Sequence, residues 1–170
     1  MTLNFKQFIS TGILSTAILC TSQVGAKLPT ELPLTEAEIS DAFLVAGAIQ
    51  RQGIWVLCHD APNNSGARIE TVSDLNSDGY PDAVIMEDGT FCYGHTGMGF
   101  ALVSKQADGR WRLVAKQTGI PEFLKTRGVG GWPDISVGGP GFCFPVNRWN
   151  GKEYQLHRFE YQGKRCKPQR

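Results

Sequence analysis

The clearest chemistry in this chain lies in nine residues, Asp74-Leu-Asn-Ser-Asp-Gly-Tyr-Pro-Asp82. Asp74, Asn76, Asp78 and Asp82 present side-chain oxygen from a tight loop, Gly79 permits the sharp turn, and the Tyr80 carbonyl can face inward. Calcium takes about six to eight oxygens in a flexible shell, and such spacing delivers them. The run is not a regular EF-hand. Its twelfth position, where a bidentate glutamate belongs, is Ile85, and the flanking residues read as strands. The alternative is an Asx-turn hairpin that holds no metal. A bound calcium would be structural, since nothing marks an open coordination position for catalysis.

Four cysteines, Cys58, Cys92, Cys143 and Cys166, follow the first 26 residues. In an exported protein an even count reads as two disulfides. The expected pairs are Cys58–Cys92 and Cys143–Cys166, each within one repeat unit or its flank. Two histidines complicate the first pair. His59 adjoins Cys58, and His95 stands three residues beyond Cys92, so a zinc site or a Cys–His nucleophile competes with the disulfide. Zinc motifs normally bring two spaced pairs, and adjacent Cys58-His59 chelates poorly. An oxidising compartment favours the disulfide. His157, in an alternating stretch, reads as surface. The glycine-rich run from 128 to 141 is either a ligand loop or a close-packed turn. The four tryptophans read as core or half-buried strand residues. No phosphate loop, paired-carboxylate signature or Ser-His-Asp spacing stands out.

Stepping outward, residues 1–26 have the order of a signal peptide: Lys6, an apolar stretch Phe8 to Leu19, then Val24-Gly-Ala26 before Lys27. The apolar run is shorter than the roughly 20 residues that span a bilayer, and no later segment is a transmembrane candidate. Cys20 suggests a lipobox, but Leu19 before it is larger than that motif normally carries. The remaining 144 residues, 27–170, form one disulfide-bonded β-rich domain by size. Residues 27–100 hold three Lys/Arg against eleven Asp/Glu, and residues 101–170 hold thirteen against five. The basic residues are scattered, so the halves are expected to neutralise each other rather than to bind nucleic acid.

The expected fold is mainly β (α+β), an N-terminal helix followed by an antiparallel sheet. Thr35 and Glu38 fit a capping box, and Ile39, Ala42, Phe43, Ala46 and Ile49 recur at helical spacing, which predicts a helix over 36–51. The rest reads as about seven short strands, with hairpins at Ala107-Asp-Gly109 and Asn150-Gly151 and one helical turn within 120–126. Gly79-Tyr-Pro-Asp82 recurs 52 residues later as Gly131-Trp-Pro-Asp134, and Phe91-Cys-Tyr93 as Phe142-Cys-Phe144. Two duplicated β units, about 68–116 and 126–160, follow. In the second, Thr126, Gly128 and Gly130 replace Asp74, Asn76 and Asp78, so that copy should be metal-free. Asp134 persists there, where an aspartate without a site only caps a turn, which makes Asp82 the weakest of the expected ligands.

The stretch "DLNSDGYPDAVI" resembles the calcium loop of FG-GAP repeats, the blade units of integrin-type β-propellers, and of VCBS repeats. The resemblance covers the loop and the next strand closely and the remainder of each unit loosely. It implies calcium ligands at Asp74, Asn76, Asp78 and Asp82 with the Tyr80 carbonyl. Two units cannot close a propeller, so the resemblance implies the unit and not the closed ring. The chain is also similar to small secreted proteins, which implies no function. The expected role is a non-enzymatic binding module of the periplasm or cell exterior. Its partner would be a protein or envelope component, with inhibition of, or immunity to, an extracytoplasmic enzyme as the most specific form. The alternatives are a small periplasmic hydrolase using His59 or His95, and a structural envelope component.

Overall fold

A computed structural model describes residues 33–62 and 66–168. The signal peptide, its cleavage site and Cys20 lie outside them. The first described element is helix α1, Glu36–Val45. Thr35 caps it: its hydroxyl accepts the Glu38 amide, and the Glu38 carboxylate accepts the Thr35 amide at 2.8 Å. The same carboxylate takes Lys105, whose ammonium holds the Glu38 carboxyl down to about 2 and ties α1 to the sheet beneath it.

The helix is shorter than its periodicity predicts. It ends at Val45, and Ile49–Arg51 is instead strand β1, paired with β2, Ile54–Val56. Gly47 leaves the helical region at φ 77°, and Gln52 and Gly53, both at positive φ, make the two-residue turn. Such a turn matches the twist of a hairpin, and Ile49 only happens to continue the helical spacing.

Eight longer strands form two four-stranded antiparallel meanders, and a two-residue strand joins the second. Sheet one runs β3, Ala67–Ser73; β4, Asp82–Asp88; β5, Met98–Lys105; and β6, Trp111–Thr118, in chain order. A four-residue helix α2, Thr90–Tyr93, sits in the β4–β5 connection. Sheet two runs β7, Ile120–Arg127; β8, Pro133–Gly138; β9, Phe144–Trp149; β10, Tyr154–Tyr161; and β11, Lys164–Arg165. The expected single sheet of about seven strands is therefore corrected to two sheets and a small hairpin, and the expected turn of helix within 120–126 is strand β7. The two meanders span residues 67–118 and 120–161, beside expected repeat units of about 68–116 and 126–160. The second begins at Ile120, earlier than the sequence match suggests.

Sheet one is the middle layer. Ala83, Ile85, Ala101 and Val103 face Ala42, Phe43 and Ala46 of α1, with Trp55 stacked on Phe43 at 5.1 Å. Their neighbours along the strands, Val84, Met86, Phe100 and Leu102, face Trp132, Ile135, Val137 and Trp149 of sheet two. Alternate residues of a strand point to opposite faces. A strand covered on both sides therefore reads as a continuous apolar run, which is why Ala83 to Met86 shows no alternation. By the same alternation Asp134 and Ser136 point to the far side of sheet two.

Each meander is fastened by a disulfide from its second-to-third-strand connection. Cys92 pairs with Cys58, just after β2, and Cys143 pairs with Cys166, beyond β10, with Cα separations of 6.1 and 5.7 Å. Near the first, the Glu87 carboxylate is buried and accepts the Leu57 amide at 3.1 Å, the Cys58 amide at 2.8 Å and the Tyr93 hydroxyl at 2.6 Å. Burial, with Glu87 as neighbour, pushes the Tyr93 hydroxyl well above its ordinary range. No described helix is long and apolar enough to cross a membrane.

Candidate metal centre

The acidic loop joins β3 to β4 and is closed from within. Asp74 accepts the Asp78 amide at 3.1 Å through one carboxylate oxygen and the Gly79 amide at 2.9 Å through the other. Asn76 Oδ1 also accepts the Asp78 amide, at 3.0 Å, while Asn76 Nδ2 donates to Asp78 Oδ2 at 2.8 Å. Asp78 Oδ1 accepts the Tyr80 amide at 2.9 Å. Ser77 and Gly79 take positive φ, which lets the loop fold back so sharply. Each carboxylate oxygen can accept more than one bond, so these contacts shape the loop without exhausting its acceptors. Among the described residues no group of three or more His, Cys, Asp and Glu side chains stands gathered for a metal; the loop carboxylates face the loop's own amides.

Asp82 differs from the other three. It begins β4 and is 1% exposed. Its Oδ2 accepts the Leu75 amide at 2.8 Å, while Oδ1 is buried without a hydrogen bond of normal geometry, although the Ser104 hydroxyl on the paired strand β5 acts on the carboxylate. Burial pushes this carboxyl up to about 6, and the charges of Asp78 and Asp74 add to the rise, against the opposing pull of Ser104 and the Leu75 amide. A buried carboxylate without a compensating charge is costly, and the protein must protonate it or bring a cation to it.

The second meander shows what compensation looks like at the equivalent position. Asp134 is the second residue of β8, as Asp82 is the first of β4, and it is fully buried. Arg148 donates Nε and Nη2 to its two oxygens, both at 2.8 Å, Arg158 donates Nη1 at 2.6 Å, and the Thr126 hydroxyl donates at 2.6 Å. Burial alone would raise the Asp134 carboxyl, but Arg148, Arg158 and Thr126 outweigh it and hold the group well below the ordinary carboxylate range. Thr126 stands where Asp74 does. The expectation that Asp134 only caps a turn is corrected: it anchors two guanidinium groups from β9 and β10. Sequence reading missed that network because its members are 14 and 24 residues apart.

The two loops touch. Arg127 donates Nη1 to the Leu75 carbonyl at 2.7 Å and also to the Gly131 carbonyl. Gly131, at φ 78°, lies so close that a Cβ there would stand 2.4 Å from the Asn76 carbonyl oxygen. A Cβ on Gly128 would stand 2.4 Å from the Trp149 carbonyl oxygen. Both positions are close-packed turns, as one of the two sequence readings has it. Gly131→Ala should therefore cost more than about 1 kcal/mol, from the φ and the clash together. Urea denaturation reads this, and an unchanged midpoint would disprove the packing.

The histidine alternative has no pocket of its own. His59 places Nε2 2.9 Å from the Gly47 carbonyl, and His95 sits on an exposed turn, Gly94–Thr96. The cavity beside Cys58–Cys92, about 260 Å³, is lined by Glu87, Tyr93 and Phe91 among others, and by neither histidine. Both cysteines of the zinc and nucleophile readings are engaged in the disulfide. No family model, no curated protein and no solved structure matches this chain.

Proposed function

We propose that this domain is a calcium-stabilised, non-catalytic binding module that works in the periplasm or outside the cell. One observation carries the calcium reading. Two buried aspartates stand at the starts of β4 and β8, Asp82 first and Asp134 second in its strand; Asp134 has two guanidinium partners, while Asp82 has an oxygen without a hydrogen bond of normal geometry and lies within reach of the charges of Asp74 and Asp78. The donors present fit a hard cation that accepts oxygen at flexible geometry. Asp74, Asn76, Asp78, Asp82 and the Tyr80 carbonyl would hold it, after Asn76 and Asp78 turn from each other to the ion. The ion would neutralise Asp82 and brace the junction of the two meanders. The disulfides support an oxidising compartment. The cavity beside Cys58–Cys92 is lined by neither His59 nor His95, and both cysteines stand in a disulfide, which favours binding over hydrolysis at these residues. Protein or envelope interaction, including inhibition or immunity, remains the functional class proposed.

Terbium luminescence tests the loop directly, because Tyr80 lies within it and can sensitise a lanthanide bound in place of calcium. Emission should rise on adding terbium and fall on adding calcium, with half-displacement near 10⁻⁴–10⁻³ M, the weak range set by the missing bidentate glutamate at Ile85. Asp78→Ala should remove the signal and leave both disulfides formed. Equal emission from the variant would place the ion elsewhere.

A further inference from the structure

We propose that the second meander carries a binding groove for an oxyanion, a carboxylate or phosphate group borne on a small organic body. The groove, about 620 Å³, lies between the loop after β7 and the β9–β10 hairpin. Arg127, Arg148, Asn150, Gln155 and His157 line it, with Val129 and Leu156 among its apolar residues. Its first wall is the β7–β8 connection, which follows the same strand order in the second meander as the acidic β3–β4 loop does in the first.

The guanidinium groups are held with donors to spare. Arg148 uses Nε and Nη2 on Asp134, which leaves Nη1. Arg127 uses Nη1 on two backbone carbonyls, which leaves Nε and Nη2. Among the described residues nothing else claims those three donors. The fixed groups need little further ordering to receive a ligand, and planar guanidinium matches carboxylate and phosphate geometry. Asp134 cancels one charge, but it is buried behind the arginines and shared with Arg158, which Glu160 also pairs. Gln155 is exposed on this wall and donates its Nε2 to Glu153 at 2.9 Å, beside the turn residue Asn150. Val129 and Leu156, 56% and 57% exposed, offer apolar surface to the body of the ligand.

The groove needs no metal, so its test is read apart from the calcium loop. Chelator-treated protein, kept well below its melting temperature, is titrated by NMR with glucuronate, glucose 6-phosphate and glucose. At least one anion should saturate with amide shifts centred on residues 127–129, 148–150 and 155–157, while glucose should not. The tighter anion tells carboxylate from phosphate. Gln155→Glu puts a carboxylate into the wall at an exposed site. It should weaken binding at least tenfold while circular dichroism shows the fold kept. Arg127→Gln should weaken it too. Shifts no larger than those from glucose, shifts centred elsewhere, or a Gln155→Glu variant that binds as the parent does would each overturn the proposal.

Discussion

Arg158→Met destabilises the domain by about 3–5 kcal/mol, the cost of removing one partner from a buried ion pair. Arg158 is 8% exposed at its side chain and reaches Asp134, Glu160 and Thr126 at once. Its loss leaves Asp134, which has no exposure of its own, with Arg148 and one hydroxyl. Methionine keeps much of the stem, so the effect reports charge and hydrogen bonding more than a cavity. Urea denaturation measures it, and a loss under 1 kcal/mol would show that Asp134 is not the anchor described. The double variant Arg158→Met with Asp134→Asn should lose less than the sum of the two single changes, because they share one network.

The same network sets an acid limit. A carboxyl whose folded value is depressed contributes stability above its unfolded value and loses it as pH falls. For Asp134 that loss begins below about pH 4, its ordinary value being 3.8. Asp82 has the opposite sign. Its folded value is raised to about 6, so without metal the protonated carboxyl favours the fold, and that favour is lost as pH rises from about 4 through about 6. A shift of this size corresponds to roughly 2–3 kcal/mol.

Local features of the fold were legible and distant ones were not. Thr35 and Glu38 announced the helix start because a capping box is a contact between residues three apart. The hairpins at Ala107-Asp-Gly109 and Asn150-Gly151 were legible for a similar reason. The helix end was misplaced because Ile49 suits both a helix stripe and strand β1, and tertiary pairing decided. Residues 120–126 read as helical, yet they form β7, where Phe123 pairs with Ile135 and the register slips before Arg127. The division into two sheets could not be read, since β4 is apolar on both faces. At the site, the loop itself was visible from Asp74 to Asp82. The buried carboxylate of Asp82 and the arginine partners of Asp134 were not, because burial and pairing arise only when the meanders pack.

Calcium is expected to relieve the buried charge of Asp82. Melting the protein by circular dichroism in 10 mM calcium and in chelator, at pH 5 and pH 7.5, measures that directly. With a dissociation constant of 10⁻⁴–10⁻³ M, binding to the folded state alone adds about 1.4–2.7 kcal/mol, a rise of roughly 5–10 °C for a domain of this size. Magnesium, which demands stricter geometry, should do less. The gap between calcium and chelator should widen from pH 5 to pH 7.5, because only the metal-free protein bears an uncompensated Asp82 charge as pH rises. Equal melting temperatures in calcium and chelator at pH 7.5 would contradict the account and leave the loop from Asp74 to Asp82 a turn without metal.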